Sequence, residues 1–546
     1  MHARKGHIIP LHGDNEAKSG ERAGIPTSMT FVHSCKVLLH AACRFAAQSF
    51  LTPFGYDAAM RPSALCNAAG LKSKYTLVHF LAILCLLGPA DALPASLFNN
   101  VDDPFSTGSL TSASPANRGG TEGGELSCAF PPDGKNALEL VGVIEHALCN
   151  NPQTRQAWAA AKAQAAQVGV AESAYLPSLT LPGRATRSFA SSTNTSSSLA
   201  QTLISATPVL NYLLFDFGGR NATLESARQS LAAANWTQNA TLQNVFFSAV
   251  QDYYLMFAAQ ATIISASEAE KSSLEAMNAA ESRYKAGAAT PADKLQAQTA
   301  YAQAKLNRIQ AEGNAQIAKG TLANIIGIDP DYGIEILPPR IQEPDEGQEQ
   351  KVHELIVTAK QQRPDLAAAE AKVNATLQNI KSAEASGKPA ISLFTNYGYS
   401  HSNIIEQPQT MAMGVSINFP IFTGFNNTYQ IRAARAQAEA SAAQRDLVKN
   451  QVALDAWNAY HTLNTTKETL KSTADLVASA TQAERVALGR YKAGAGTILD
   501  LLTAQTNLAN ARLQRIQSQY NWYVAKAKLA QAIGRLDFST IASSTQ

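Results

Sequence analysis

The stretch RYKAGAATPADKLQAQTAYAQAKLNRIQ, from Arg283 to Gln310, recurs as RYKAGAGTILDLLTAQTNLANARLQRIQ from Arg490 to Gln517. The two copies align without a gap at an offset of 207 residues, and 18 of the 28 positions are identical. Short solenoid repeats have periods of only about 20 to 50 residues. The long period therefore indicates a duplicated half-domain, one structural unit built twice.

Each half has the pattern of a helix, two strands and two long helices. In the second half, residues 350–387 have helical composition, and strands are predicted at about 391–400 and 411–420. Both strands alternate apolar residues with small or polar ones, with Phe394 as the single misfit. A length of about ten residues suffices to cross a membrane at a tilt. The alternation is typical of outer-membrane barrel strands, although a half-buried strand of a soluble sandwich shows it too.

The first half contains a weaker pair of strands, at about 178–190 and 203–217, with the Ser/Thr-rich stretch Ser191 to Ser198 as the exposed turn. Four strands cannot close a barrel, and an open edge in lipid leaves backbone groups without hydrogen bonds. The pattern therefore predicts that several chains contribute strands to one barrel.

Two proline-free segments, 219–283 and 426–490, predict helices of about 65 residues, or roughly 100 Å. A second helix returns from each, to about Gly327 and Gly534. Apolar residues recur along the returning helices in a heptad-like stripe, which predicts antiparallel coiled-coil hairpins. The stripe consists of Leu295, Ala302, Leu306 and Ile309 and, in the second half, Leu502, Ala509, Leu513 and Ile516.

The N-terminal region carries a secretory signal. Lys72 and Lys74 precede the apolar run Tyr75–Leu87, and an A-x-A site ends at Ala92, so residues 72–92 are predicted to be a signal peptide. Residues 1–71 would then be a non-native or dispensable extension. Our hypothesis is that translation begins at Met60.

The exported chain is then divided into five segments. They are an extended segment 93–133, a first repeat 134–328, an inter-repeat equatorial linker 329–349, a second repeat 350–536 and a tail 537–546. Of the six cysteines, only Cys128 and Cys149 lie in this part, and exported proteins usually pair such thiols. We expect a disulfide between them rather than a zinc site, because no histidine cluster is nearby.

Composition excludes several classes of function. A net charge of +3 is too small and too evenly spread for a nucleic-acid-binding protein. The ten histidines show no H-E-x-x-H spacing, and the sequence has neither a phosphate-binding loop nor a G-x-S-x-G elbow. We therefore expect no enzyme activity, no cofactor and no metal site.

The order of elements and the motifs at the helix ends resemble the TolC family of outer-membrane channel-tunnels. The motifs are Phe215–Arg220 after the first strand pair and the doubled Tyr-x-x-Gly-x5-Asp tip, Tyr284–Asp293 and Tyr491–Asp500. The resemblance covers about residues 134–536. Within the family, residues 147–179 look closest to the CyaE-type members, which are associated with type I secretion of a large toxin.

This resemblance implies an α+β membrane protein of two helix–strand–strand–hairpin repeats. Three identical chains would share one transmembrane β-barrel and one α-helical periplasmic barrel. Such a homotrimer, in the cell outer membrane and in contact with its lipid, receives substrates from an inner-membrane ABC or RND transporter through a periplasmic adaptor (membrane fusion protein). The expected function is passive export, of a type I secreted protein such as a toxin or, alternatively, of drugs or metals. A coiled-coil structural protein of the cell envelope is the alternative from a different class.

The resemblance also assigns roles at the hairpin tips. Tyr491 corresponds to the gating tyrosine of the family and Asp293 to its aspartate partner on the neighbouring hairpin. Asp500 corresponds to an aspartate of an acidic ring in the pore. Helix capping is a simpler role for both aspartates, and the two roles are compatible.

Other tip positions carry structural expectations or depart from the family. Gly287 and Gly494 suit the tight turns between helices, and Tyr284 is expected to have a packing role. The gate arginine of the family is replaced by Gly496, and a second acidic-ring position is Thr503. We therefore expect a less firmly locked gate and a weaker acidic constriction.

Overall fold

The computed structural model describes residues 103–111, 138–192, 195–331, 335–339, 351–404 and 408–537, all within one compact unit. The expected extension 1–71, the signal peptide 72–92 and Cys128 lie outside these residues. So do the rest of the N-terminal segment apart from 103–111, most of the linker 329–349 and the tail beyond Asp537.

Helices dominate the described part of the chain. In chain order the elements are α1 (Leu140–Asn150), α2 (Pro152–Ser173), β1 (Ser178–Thr180), β2 (Gly183–Ser192), β3 (Thr195–Ala206), β4 (Val209–Phe215), α3 (Gly219–Lys285), α4 (Pro291–Ile326), α5 (Val352–Gln362), α6 (Pro364–Ala385), β5 (Ala390–Ser402), β6 (Thr410–Asn418), α7 (Asn426–Lys492) and α8 (Ile498–Ala532). A short 3-10 turn, Thr107–Leu110, packs on α2. Helices α3 and α7 each have 67 residues, which is roughly 100 Å of helix.

Proline interrupts several elements that were predicted to be continuous. The strand expected at 178–190 is divided at Pro182 into β1 and β2, and the strand expected at 203–217 is divided at Pro208 into β3 and β4. Proline has no amide hydrogen for the strand ladder. The helix expected at 350–387 is likewise divided at Pro364 into α5 and α6. Proline disfavours the helical conformation in the residue before it, and Arg363 is accordingly extended.

The first strand pair also differs in its turn. The stretch Ser191 to Ser198 was predicted to be an exposed turn, but β2 continues to Ser192 and β3 already begins at Thr195. Serine and threonine accept extended conformation readily, so a polar composition alone does not end a strand. The turn prediction was therefore too long.

The six strands form one antiparallel sheet. It amounts to four long strands, because β1 and β2 are two parts of one strand interrupted at Pro182, and β3 and β4 are two parts of one interrupted at Pro208. Their order is β1–β2, β3–β4, β5 and β6. Within the described residues, the outer edges of β1–β2 and of β6 pair with no further strand. The sheet of a single chain is thus open on both sides.

The register places the apolar residues of neighbouring strands on one face. Leu393 lies opposite Val415 and Ile391 opposite Ile417, and the Ile417 side chain is 69% exposed. The opposite face is small and polar, apart from Phe394. That ring packs over Gly414, where an added Cβ would lie 3.2 Å from the ring edge. The misfit in the alternation is therefore accommodated by a glycine directly across the strand pair.

The two helical hairpins pack side by side. Helix α3 contacts α4, α8, α2 and α6, whereas α7 contacts α8, α6 and α5. The lateral order is therefore α4, α3, α8 and α7, with α4 and α7 on the two outer sides. A hydrophobic core at mid-length joins α1, α3, α4, α7 and α8, and includes Val143, Tyr253, Leu322, Leu470 and Trp522. Among the described helices, none is both long and apolar enough to cross a membrane.

The stripe predicted to hold the first hairpin together faces outwards. Leu295 is 61% exposed, and Leu306 and Ile309 are exposed as well. The buried residues of helix α4 are instead mostly alanines, with two larger residues near its C-terminal end: Ala297, Ala311, Ala315, Ala318, Leu322, Ala323 and Ile326. Alanines allow close approach of two helix backbones, and they recur at the same helical spacing as the leucines. The interpretation of the leucine stripe as the hairpin interface was wrong for this reason.

Candidate functional site at the hairpin tips

The two turns that end the long helices have the same backbone geometry. Gly287 and Gly494 adopt positive φ angles of 73° and 79°. In the first turn the amide of Ala288 donates to the carbonyl of Arg283 at 2.8 Å, and the second turn repeats this bond between Ala495 and Arg490 at 2.9 Å. Such a helix end requires a left-handed residue, a conformation that glycine adopts without steric cost.

Asp293 and Asp500 both act as capping residues of the returning helices. The Asp293 carboxylate accepts hydrogen bonds from the amide and the hydroxyl of Thr290, at 2.8 and 2.9 Å, while the Thr290 hydroxyl accepts from the Asp293 amide. Asp500 forms the reciprocal pair of bonds with Thr497, at 3.3 and 3.1 Å. These bonds from threonine hold the pKa of both carboxyls below the ordinary aspartate value.

Tyr491 is a buried aromatic residue at the hairpin tips. Its side chain is 3% exposed, and it packs in a cluster with Ala276, Ala280, Ala297, Ile498 and Leu501. Burial raises the pKa of Tyr491; the charge of Asp293 adds to that rise and the charge of Arg283 opposes it. The buried hydroxyl of Tyr491 has no hydrogen-bond partner within the described part of the chain. The Asp293 carboxylate accepts its hydrogen bonds from Thr290 rather than from the Tyr491 hydroxyl.

Arg283 connects the two tips, a contact that sequence reasoning missed. Its Nη1 donates to the carbonyl oxygen of Tyr491 at 2.7 Å, and its guanidinium lies 4.8 Å from the centroid of the Tyr491 ring. A charged hydrogen bond and a cation–π contact therefore join the end of α3 to the end of α7. The identity of arginine in both RYKAG copies was the available signal.

The first tip lacks an equivalent core. Tyr284, which corresponds to Tyr491, is 40% exposed, and the Nζ of Lys294 lies 5.5 Å from its ring centroid. Lys285 and Lys294 both lie within ion-pair distance of Glu281, at 3.3 and 3.5 Å. The hydrogen bonds and charge of Lys285, followed by the charge of Lys294, lower the pKa of Glu281.

The two positions that depart from the family lie at the second tip. A Cβ added at Gly496 would lie 3.1 Å from the Cβ of Arg490 and 3.2 Å from the amide of Tyr491, so the turn is tightly packed there. Thr503 is exposed on the first turns of α8. Arg490 donates to Ala495 of its own turn at 3.4 Å, rather than to the other hairpin.

Cys149 is buried at the end of α1 and is disulfide-bonded. Its expected partner, Cys128, lies outside the described residues. Within the described ranges there is no group of three or more histidine, cysteine, aspartate or glutamate side chains that could hold a metal ion.

The architecture is that of solved outer-membrane channels. The outer membrane protein VceC of Vibrio cholerae superposes with a TM-score of 0.64 at 24% identity, over 72% of this chain and 96% of its own. The Campylobacter jejuni CmeC outer membrane channel superposes with a TM-score of 0.66 at 18% identity, over 74% and 89%. At these identities the likeness establishes the fold.

The sequence establishes the family. The chain belongs to the outer membrane efflux protein family, which matches residues 143–328 and 355–535. It is 28% identical over 418 residues to Protein CyaE of Bordetella pertussis, covering 76% of this chain and 88% of that protein. It is 21% identical over 416 residues to outer membrane protein TolC of Escherichia coli, covering 73% and 83%. The family and the fold are those of export channels, not of enzymes.

Proposed function

We propose that this chain is the outer-membrane exit duct of a tripartite export system and that it works as a homotrimer. The observation that carries the proposal is the open four-stranded sheet, whose edge strand β6 exposes a row of apolar side chains, Met411, Met413, Val415 and Ile417. A sheet edge inside lipid leaves each unpaired backbone group without a hydrogen bond, which costs several kcal/mol per group. Three copies arranged in a ring would pair both edges and close a barrel of twelve strands.

The corners between strands and long helices support a membrane boundary at that level. Phe215, Phe217, Phe422 and Phe425 are all exposed there, and the guanidinium of Arg432 lies 5.5 Å from the ring of the exposed Tyr429. Bands of aromatic residues with nearby cations are typical of the interface between lipid and water. The sheet would lie in the outer membrane, and the long helices would extend from it into the periplasm.

The tips supply the gate in this proposal. Tyr491 and Asp293 would help to hold the hairpins together in the closed state, and three copies of Asp500 would form an acidic ring on the axis. Carboxylates around a narrow wet pore favour cations and retain multivalent ones. A periplasmic adaptor would dock at the tips, and the inner-membrane transporter would provide the energy.

For the cargo, we propose a protein secreted by a type I system. The support is the resemblance of residues 147–179 to CyaE-type members together with the match to Protein CyaE. Small-molecule efflux is the second candidate, since the chain is also 26% identical to outer membrane efflux protein BepC of Brucella suis. Deletion of the gene should remove a large protein from the culture medium while drug susceptibility stays unchanged. Raised susceptibility with normal secretion would favour efflux.

The duct itself is tested by planar-bilayer conductance of the purified protein from residue 93 onward. We expect a small cation-selective current that a trivalent cation blocks from the side of the tips. Asp500→Ala should reduce both selectivity and block, and block that is unchanged in this variant would contradict the acidic ring. A water-soluble protein with no current would instead favour the coiled-coil structural protein.

A further inference from the structure

The outward face of the sheet, defined as the face that carries Leu393 and Val415, changes in composition along the strands. In the half nearest the long helices this face is aliphatic, with Leu179, Leu210, Ile391, Leu393, Val415 and Ile417. In the half furthest from the helices it carries a cation and aromatic rings, which are Arg187, Phe189, Tyr399 and His401. The two ends of the outward face therefore suit different surroundings.

The strand register places Arg187 on the outward face. Ile204 of β3 lies opposite Ala185 on one side and opposite His401 on the other. Successive side chains of a strand point to opposite faces, so residues an even number of positions apart share a face. His401 is separated from Leu393 by an even number of positions, and Arg187 from Ala185. All of these residues therefore belong to the outward face.

Arg187 has no carboxylate partner on this face. Among the described residues that the register assigns to the outward face, it is the only arginine, lysine, aspartate or glutamate. Its side chain is exposed and forms no ion pair with another residue of the described ranges; the guanidinium lies 5.4 Å from the ring centroid of Phe189. Strand β6, which would pair with β1–β2 in a closed ring, has the sequence TMAMGVSIN and brings no charge either.

The level of Arg187 along the strands corresponds to the outer rim of a membrane. Arg187 lies opposite Thr202, which is 13 positions from Phe215 at the corner with α3. At about 3.3 Å per residue and a tilt of about 40°, these positions span about 33 Å along the membrane normal. The apolar band of outer-membrane barrels is only about 25 Å tall. Arg187 therefore lies just beyond the apolar band, where a charge on the lipid face costs little free energy.

We propose that Arg187 binds a phosphate group of a phosphorylated glycolipid in the outer leaflet of the membrane. The planar guanidinium matches phosphate oxygens with two parallel hydrogen bonds, and a long arginine side chain extends readily from the apolar band to the headgroups. Phe189 lies two positions further along, at the interface where aromatic rings are typical.

His401 supplies a second hydrogen-bond donor to the same headgroup. It is exposed, and its Cα lies about 12 Å from that of Arg187, across one intervening strand and two positions along it. That distance suits a large headgroup that both side chains approach from the same face. The inference rests on the proposed position of the sheet in the outer membrane, to which it adds a specific lipid site.

The site is tested on the purified protein from residue 93 onward in a neutral detergent. Native mass spectrometry measures the affinity for three probes, which are lipid A as the phosphorylated glycolipid, dephosphorylated lipid A and inorganic phosphate. The variants are Arg187→Gln and Arg187→Lys. The matched control is Arg184→Gln, which removes the same charge from the same strand, at an exposed position opposite Ser205 and on the other face of the sheet. Flotation with phosphatidylcholine vesicles reports membrane insertion of every sample in parallel.

We expect Arg187→Gln to weaken binding of lipid A about tenfold, because a charged hydrogen-bonded contact is lost. Arg187→Lys, which keeps the charge and so guards against a folding defect, should weaken it less, and Arg184→Gln should leave it unchanged. Dephosphorylated lipid A should bind the parent no better than lipid A binds Arg187→Gln.

Three results would overturn the lipid site while the membrane location stands, provided that the parent floats with the vesicles. They are equal affinities of Arg187→Gln and Arg184→Gln for lipid A, equal binding of the dephosphorylated probe by the parent, and binding of inorganic phosphate as tight as that of lipid A. A parent protein that does not float would overturn the lipid site and the proposed membrane location together.

Discussion

The two hairpin tips begin with the same five residues, Arg-Tyr-Lys-Ala-Gly, yet they occupy different environments. At the second tip the tyrosine, Tyr491, is buried in an apolar cluster, and the arginine of the first tip, Arg283, lies over its ring. At the first tip the corresponding Tyr284 is exposed beside Lys294. Identical motifs thus form a core in one repeat and a polar surface in the other.

The difference originates in the residues that follow the motif. The second returning helix begins with Ile498 and carries Leu501, both fully buried against Tyr491. The corresponding positions in the first repeat are Pro291 and Lys294. Two apolar side chains, together with the position of α8 beside α3, therefore decide which tyrosine is buried. The motif sets the turn, and its surroundings set the packing.

The largest expected effect comes from removing the buried ring of Tyr491. Tyr491→Ala should destabilise the folded tips by about 3 kcal/mol, because removing a large buried side chain leaves a cavity. Tyr284→Ala should cost less than about 1 kcal/mol, as is usual for exposed positions. Amide hydrogen exchange of residues 276–300 and 484–505, followed by mass spectrometry, measures both. Equal loss of protection in the two variants would show that the tips are equivalent in the assembled protein.

An intermediate effect is expected from Arg283. Arg283→Ala removes a charged hydrogen bond and a cation–π contact, together worth about 2 kcal/mol, which corresponds to roughly a 30-fold shift towards open tips. Open probability in planar bilayers measures this shift. Arg283→Lys should recover only part of it, because an ammonium cannot both cover the ring and reach the carbonyl in the same geometry. An unchanged open probability in Arg283→Ala would exclude a role in gating.

The smallest effect is expected from the Thr–Asp capping boxes, which both tips share. Capping lowers the pKa of Asp293 and Asp500, so the folded state favours the ionised carboxylates. Their stabilisation is complete above the ordinary aspartate pKa of about 3.9, and is lost as the pH falls through the lowered values. The protection of amides in segments 286–296 and 493–503, measured relative to the intrinsic exchange rate at each pH, should therefore decrease slightly, and to a similar extent, in strong acid. A loss of protection confined to one tip would contradict two equivalent capping boxes.

Much of the architecture was predictable because it depends on local patterns. Period-two alternation marks β5 and β6, the positive φ of Gly287 and Gly494 follows from their place after the helices, and Thr-x-x-Asp marks the two caps. Pro182 and Pro208 are visible in the sequence, yet the pattern around each of them predicts one continuous strand. The prediction that the leucine stripe of α4 faces α3 was wrong, because periodicity identifies an apolar face without identifying what covers it.

By itself, the sequence determined the duplication, the lengths of the helices, the alternation of the strands and the chemistry of each turn. These properties depend on residues near one another along the chain, or on identity between two segments. Only the tertiary structure decided that Tyr491 rather than Tyr284 is buried, that Arg283 joins the two tips, and that the buried face of α4 consists mostly of alanines rather than of the stripe containing Leu295. Each of these depends on which helix lies beside which, and a contact between Arg283 and Tyr491, 208 positions apart, has no signature in the local sequence.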